Sequence, residues 1–144
     1  MSREILFRAK HIHAMDSNEH LNGTLVQGYL SDKNYIYDKS LEGEFLVDED
    51  TICQYTGLTD KNGKKIFEGD IVRCGEICGE VKFGLYESNW QIGKYNQGFF
   101  VTFPKEYLLR KELGYWENKV VVIGNIYDSP KLLEDKENKH GKDI

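Results

Sequence analysis

Residues 53–74, CQYTGLTDKNGKKIFEGDIVRC, decide the fold. Asn62-Gly63 stands between two apolar stretches, and a type I′ turn, which needs positive φ at both central residues, accepts this dipeptide most cheaply. The chain is therefore expected to reverse there. Upstream, Tyr55, Thr56 and Leu58 suit a strand interrupted at Gly57. Downstream, Lys64, Lys65, Ile66 and Phe67 form a short arm that leads through Glu68-Gly69-Asp70 into a strand at Ile71, Val72 and Arg73.

On the N-terminal side, residues 3–13 alternate as a strand, with Ile5, Phe7, Ala9 and His11 on one side. Asp16-Ser17-Asn18-Glu19 and Asn22-Gly23 are turn signals. Leu21 to Leu30 and Tyr35 to Tyr37 read as further strands joined by Ser31-Asp32-Lys33-Asn34, and Phe45 to Val47 as a short one before the acidic loop Asp48-Glu49-Asp50. On the C-terminal side, Asp70 to Cys74 and Glu80 to Phe83 read as strands joined by a glycine-rich turn. This order resembles the start of a small SH3-like barrel. Residues 84–98, rich in Gly, Asn and Tyr around Trp90, read as a long loop or distorted hairpin before the strand Phe99 to Phe103. Lys105 to Leu113 is the best helix, with Pro104 at its first turn and Gly114 placed to end it. Lys119 to Tyr127 reads as a buried strand, and Ser129 to Leu133 as a final helical turn. The charged residues from Glu134 onward are expected to be disordered.

Several of these stretches carry a resemblance. Gln54-Tyr55-Thr56-Gly57-Leu58, Asp60-Lys61-Asn62-Gly63-Lys64 and Ile66-Phe67-Glu68-Gly69-Asp70-Ile71-Val72 closely resemble the signature of the YopX family of phage and prophage proteins. Arg3 to Ala9, Asn22-Gly23, Gly28-Tyr29-Leu30, Val47-Asp48 through Thr51, and Val122-Ile123-Gly124-Asn125-Ile126-Tyr127-Asp128-Ser129-Pro130 extend it over most of the chain. Lys10 departs from it, standing where family members usually carry Trp. The resemblance implies a phage or prophage origin and a cytoplasmic setting in the bacterial host, and it brings no assigned activity or catalytic residue.

With 144 residues, nine Tyr, seven Phe, fourteen Gly and only two Pro, the composition fits a β-rich globular chain. No apolar run approaches the roughly 20 residues of a membrane helix, and no signal-peptide pattern opens the chain. The formal charge of −5 opposes polyanions at long range, so nucleic-acid binding would need Lys and Arg gathered on one face. Lys61, Lys64 and Lys65 at the hairpin tip, with Arg73 and Lys82, are the available set. Their ordinary role is to solubilise the tip or guard an edge strand.

The three cysteines, Cys53, Cys74 and Cys78, form one loose pair and a distant third, which is not the two tight pairs of a structural zinc site; they read as small apolar strand residues. His11 and His13 share a strand face but lack a placed third ligand, and they read as exposed strand histidines. Glu68 and Asp70 flank a turn glycine, where Asp70 is expected to cap backbone donors rather than serve acid/base chemistry. Trp90 with Tyr86, Tyr95, Phe99 and Phe100 is read as core or subunit interface before it is read as a platform for bases.

These readings predict a mainly β fold (β-rich α+β): an N-terminal β-meander over 1–50, a central hairpin with an SH3-like barrel over 51–133 sharing its core, one or two short helices near the C-terminus, and a tail at 134–144. The expected function is a non-enzymatic interaction or self-assembling module with no metal or cofactor, acting as a homo-oligomer or with a phage or host protein, and not at a membrane. The alternative is a nucleic-acid accessory protein in which Lys61, Lys64, Lys65 and Arg73 join an aromatic face containing Trp90 and Tyr95.

Overall fold

Strands carry nearly all the regular structure in the computed structural model, which describes residues 5–12, 23–32, 34–88, 91–104, 107 and 109–133. The mainly β fold is the one the sequence predicts. By contact density the chain divides into two compact units, Met1–Gly57 and Leu58–Ile144, where the sequence suggested lobes of 1–50 and 51–133. The expected tail over 134–144 and the turn cluster at Asp16 to Glu19 lie outside the described residues.

The first unit is an antiparallel sheet built from β1 (Phe7–Lys10), β2 (Leu25–Asp32), β3 (Tyr35–Asp38), β4 (Gly43–Leu46) and β5 (Cys53–Thr59), in the order β4-β3-β2-β1-β5. Consecutive strands from β1 to β4 are neighbours, which makes a meander. Ala9, Val26, Ile36, Phe45 and Val47 form its buried cluster. Asp38 shapes the β3–β4 connection. Its carboxylate accepts from Ser40 N (3.0 Å), Ser40 Oγ (2.6 Å) and Leu41 N on one oxygen and from Gln27 N (3.0 Å) on the other. Before β5, Asp48 caps a 3-10 turn, Glu49–Thr51, by accepting from Asp50 N at 3.1 Å.

In the second unit the end of β5 turns at residues 60–64 into β6 (Lys65–Phe67), its neighbour in the sheet order. The chain reverses where the sequence predicts, but not by a type I′ turn. Gly63 has φ +83°, while Glu42 and Asn118 are the non-glycine residues with positive φ among those described, so Asn62 is not left-handed. Gly63 N donates to Asp60 O (3.0 Å) and Asp60 N to Lys64 O (2.8 Å). This is the three-residue connection, a type I turn followed by a left-handed glycine. The Asp60 carboxylate selects it by accepting from both Asn62 N and Lys64 N.

Strands β7 (Asp70–Cys74), β8 (Ile77–Glu87), β9 (Tyr95–Thr102) and β10 (Val121–Asn125) form an antiparallel sheet ordered β10-β7-β8-β9. No pairing among the described residues joins β10 to β9, so the closure of an SH3-like barrel is not found in the ladder. Ile66, Val72, Val81, Val101, Leu113, Trp116, Val120 and Val122 make the core. Asp70 accepts from Phe67 N at 2.8 Å across Gly69 (φ +88°), the backbone-capping role expected of it.

One expectation is sharpened here and another fails. Of the two readings of residues 84–98, the distorted hairpin is the one found: β8 and β9 stay paired from Glu80↔Thr102 out to Glu87↔Tyr95. Gly84 and Gly98, directly opposed, take φ +151° and +156°, a backbone only glycine adopts readily, so residues that read as loop formers instead let the ladder continue. The helix expected over Lys105 to Leu113, three of whose residues lie outside those described, is replaced by a four-residue helix α1 (Leu113–Trp116). Its place is taken by chain that pairs with β9, through Val101 N to Lys111 O (2.8 Å) and a bridge between Phe100 and Glu112. Gly114, expected to end the helix, lies inside α1, whereas residues 131–133 are helical as the sequence suggests.

Candidate functional site

Chemistry-bearing side chains read from the sequence are for the most part consumed by the fold. His11 is buried rather than exposed. Its Nδ1 donates to Leu46 O at 2.8 Å, and its ring meets Phe45 edge-on at 5.2 Å. His13 lies outside the described residues. Cys74 pairs with Ile77 and packs against the core, while its neighbour in sequence reading, Cys78, pairs with Arg73. The two cysteines therefore face opposite sides of the sheet. Among the described residues no group of three His, Cys, Asp or Glu is arranged to hold a metal.

Asp60 is the polar side chain that ties the central hairpin to a distant strand, and sequence reading did not single it out. It is 1% exposed, and its carboxylate accepts from Asn62 N (2.8 Å), Lys64 N (2.9 Å) and, across 62 residues of chain, Val122 N (2.9 Å). Burial alone would raise its pKa. The three N–H donors and the Lys64 ammonium outweigh burial and hold it below the ordinary 3.8. The hairpin is thus fastened to β10, and Lys61 N adds a further bond to Val120 O (2.8 Å).

Fastened this way, the loop presents Lys61 and Lys64 as exposed side chains, with Lys65 half-buried at the start of β6 and Arg73 exposed on β7 opposite Val121. Lys61 is brought beside residues the sequence reading passed over. Asn118, with φ 66° and its N–H on Thr59 O, turns the chain so that Lys119 follows α1 and precedes Val120. Lys119 Nζ lies 4.7 Å from the ring centre of Tyr115, and the Arg110 guanidinium 5.0 Å from it. Arg110 also pairs with Glu112 at 2.7 Å. No local pattern marks Arg110, Tyr115 and Lys119, since α1 and the Asn118 turn alone bring them together.

Tyr95 belongs to a different surface. Along β8 and β9 the side that buries Val81 and Val101 continues outward through the opposed pairs Phe83↔Phe99, Leu85↔Gln97 and Glu87↔Tyr95. The core no longer covers it there: Phe83 is 52% exposed, Tyr95 61% and Leu85 70%, and Ile92 in the connecting loop is 100% exposed. On the other side Tyr86 meets Phe100 at 5.0 Å across the Gly84/Gly98 pair. Tyr86 lines two cavities. One of about 430 Å3 is bounded by Phe100, Phe103, Tyr107, Leu109 and Lys111. The other, about 300 Å3 and polar, is bounded by Ser88, Gln91, Lys94, Asn96, Arg110 and Glu112. Burial, then the Glu112 carboxylate, pushes the Tyr86 phenol above its ordinary 10.0, so it stays a hydrogen-bond donor at neutral pH. Trp90, expected at this aromatic surface, lies outside the described residues.

No helix among the described residues is long and apolar enough to cross a membrane. No curated protein matches the chain. The family model described as YopX protein matches residues 6–134. That span takes in all of the strands described above and most of both units, and the chain belongs to the YopX protein family.

Proposed function

We propose that this YopX family chain is a non-enzymatic interaction module of phage or prophage origin that self-associates through the β8–β9 hairpin. The observation that carries the reading is the uncovered apolar face of Phe83, Leu85 and Tyr95 with Ile92 at the tip. Four large apolar residues exposed on one hairpin are more than scattered surface exposure, and contiguous patches of this kind mark association sites. The occupant that fits is a second copy of the chain. β9 ends the strand order of its sheet, and its pairing with the 111–112 segment begins at Phe100, so the edge from Tyr95 to Phe99 is open among the described residues. An element that offers both an open edge and an apolar face can meet its own copy across a two-fold axis, each edge completing the other.

Light scattering at micromolar concentration tests the reading. The wild type is expected to be an oligomer, and Leu85→Asp combined with Tyr95→Asp, at positions already exposed, is expected to leave the fold and thermal midpoint intact while weakening assembly at least about 30-fold, from the loss of roughly 2 kcal/mol of apolar burial. A strictly monomeric wild type, or a double variant that still assembles, would contradict it.

A further inference from the structure

A second surface of the Leu58–Ile144 unit gathers positive charge in a chain whose formal charge is −5. Its members are far apart in sequence but linked contact by contact. Lys94 and Arg110 line the same polar cavity, Arg110 and Lys119 both approach the ring of Tyr115, Lys119 adjoins Val120, and Val120 O accepts from the backbone of Lys61, whose loop also carries Lys64. The four lysines and Arg110 are exposed, and Tyr115 is 41% exposed. Glu112, paired with Arg110, is an acid that interrupts the row, and half-buried Glu117 stands two positions before Lys119 in sequence.

We propose that this stripe binds single-stranded nucleic acid, with the lysines on successive phosphates and a base stacked against Tyr115 or the Arg110 guanidinium. An acidic protein places cations in a row only against its own long-range field, and a row of point charges suits a phosphate backbone. The planar groups in the middle of the row decide between strands: an aromatic ring and a guanidinium can stack on bases only where the bases are not already stacked in a duplex. This site is separate from the β8–β9 apolar face, so it stands or falls independently of self-association.

Fluorescence anisotropy with a labelled oligothymidylate of about 20 nucleotides tests the assignment. Between about 50 and about 200 mM salt, log affinity is expected to fall with log salt at a slope of about −2 to −3, for three or four phosphate contacts at roughly 0.7 each. Lys61→Ala with Lys119→Ala is expected to weaken binding about tenfold and to reduce the slope by about 1.4. Because the Lys119 ammonium also bonds Tyr115 O at 2.9 Å, Lys61→Ala with Lys64→Ala repeats the test with loop side chains alone. Tyr115→Ala should weaken binding at least about fivefold and leave the slope unchanged. Lys39→Ala, an exposed lysine of the first unit, should change nothing. Absence of binding at the lowest salt, affinity unmoved by both lysine pairs, equal affinity for a duplex, or equal affinity for polyglutamate would each overturn the proposal.

Discussion

Asp60→Ala is expected to lower the free energy of unfolding by about 3 kcal/mol, read as a reduced midpoint in urea titrations followed by Trp fluorescence. The substitution removes one acceptor group and strands three backbone donors. Asn62 and Lys64 lie on an exposed loop where water can reach their N–H groups, so their loss is modest. Val122 is a core residue, and its N–H has Asp60 Oδ2 as its partner at 2.9 Å; a buried donor left unpaired costs about 1–3 kcal/mol by itself. The loop also loses the carboxylate that selects its turn. Asp60→Asn should fall between, because an amide keeps one acceptor oxygen but turns an N–H2 toward a donor. The pH dependence has a definite sign. Asp60 has its pKa depressed in the folded state, so its contribution is fully present above the unfolded value near 3.8 and is lost as pH falls through the folded value. The stability difference between wild type and Asp60→Ala should therefore shrink as pH drops below about 4.

The second large effect falls in the first unit. Gly28→Ala would place a Cβ 1.9 Å from Tyr37 O, 2.9 Å from Tyr37 C and 3.2 Å from Asp38 Cα, all backbone atoms of β3 that cannot rotate aside. Strands β2 and β3 must then separate, and the Gln27 N to Asp38 Oδ2 bond that draws them together separates with them. A loss of at least about 3 kcal/mol is expected, on the order of 10 °C in thermal midpoint by circular dichroism. Gly43→Ala is the matched control. Its Cβ would meet only the Phe45 ring at 3.7 Å, an ordinary contact, and its midpoint should stay within about 2 °C of wild type.

Asp60 and Gly28 also show what could be read from the chain and what could not. The reversal at residues 60–64 was legible because glycine at position 63 has a local reason to be there. Its turn type was not, because a side chain two positions before Asn62 chooses it. The bond from Asp60 to Val122 is longer-range still and leaves no mark in any window of sequence. The meander of the first unit was legible from alternation and turn residues. The length of β8 and β9 was not, since Gly84 and Gly98 read as loop residues singly and as a paired kink only in register. The helix expected over Lys105 to Leu113 had good local signals and lost to backbone pairing of the 111–112 segment with an edge strand, a tertiary gain that propensity does not contain.

The same division holds for function. The family signature at residues 54–72 is architecture almost throughout: Asp60, Gly63, Gly69 and Asp70 each hold backbone, and Ile66, Phe67, Ile71 and Val72 are buried. Of the tip lysines read as the functional remainder, Lys61 and Lys64 stay exposed, and the Lys61 N–H bonds Val120 O, next in sequence to Lys119. Tyr95 was read with Trp90, Tyr86, Phe99 and Phe100 as core or subunit interface; it is exposed on the hairpin that also exposes Phe83, Leu85 and Ile92, a group visible only once β8 and β9 are seen to extend past the core.

Hydrogen–deuterium exchange at two protein concentrations tests the central claim, self-association through this hairpin, at the residues concerned. Amides of Tyr95 to Phe99 are expected to exchange quickly in dilute protein and to gain protection as concentration rises into the tens of micromolar, with Leu85→Asp/Tyr95→Asp abolishing the gain. Exchange along that edge that does not change with concentration, or protection that appears elsewhere while the edge stays open, would contradict it.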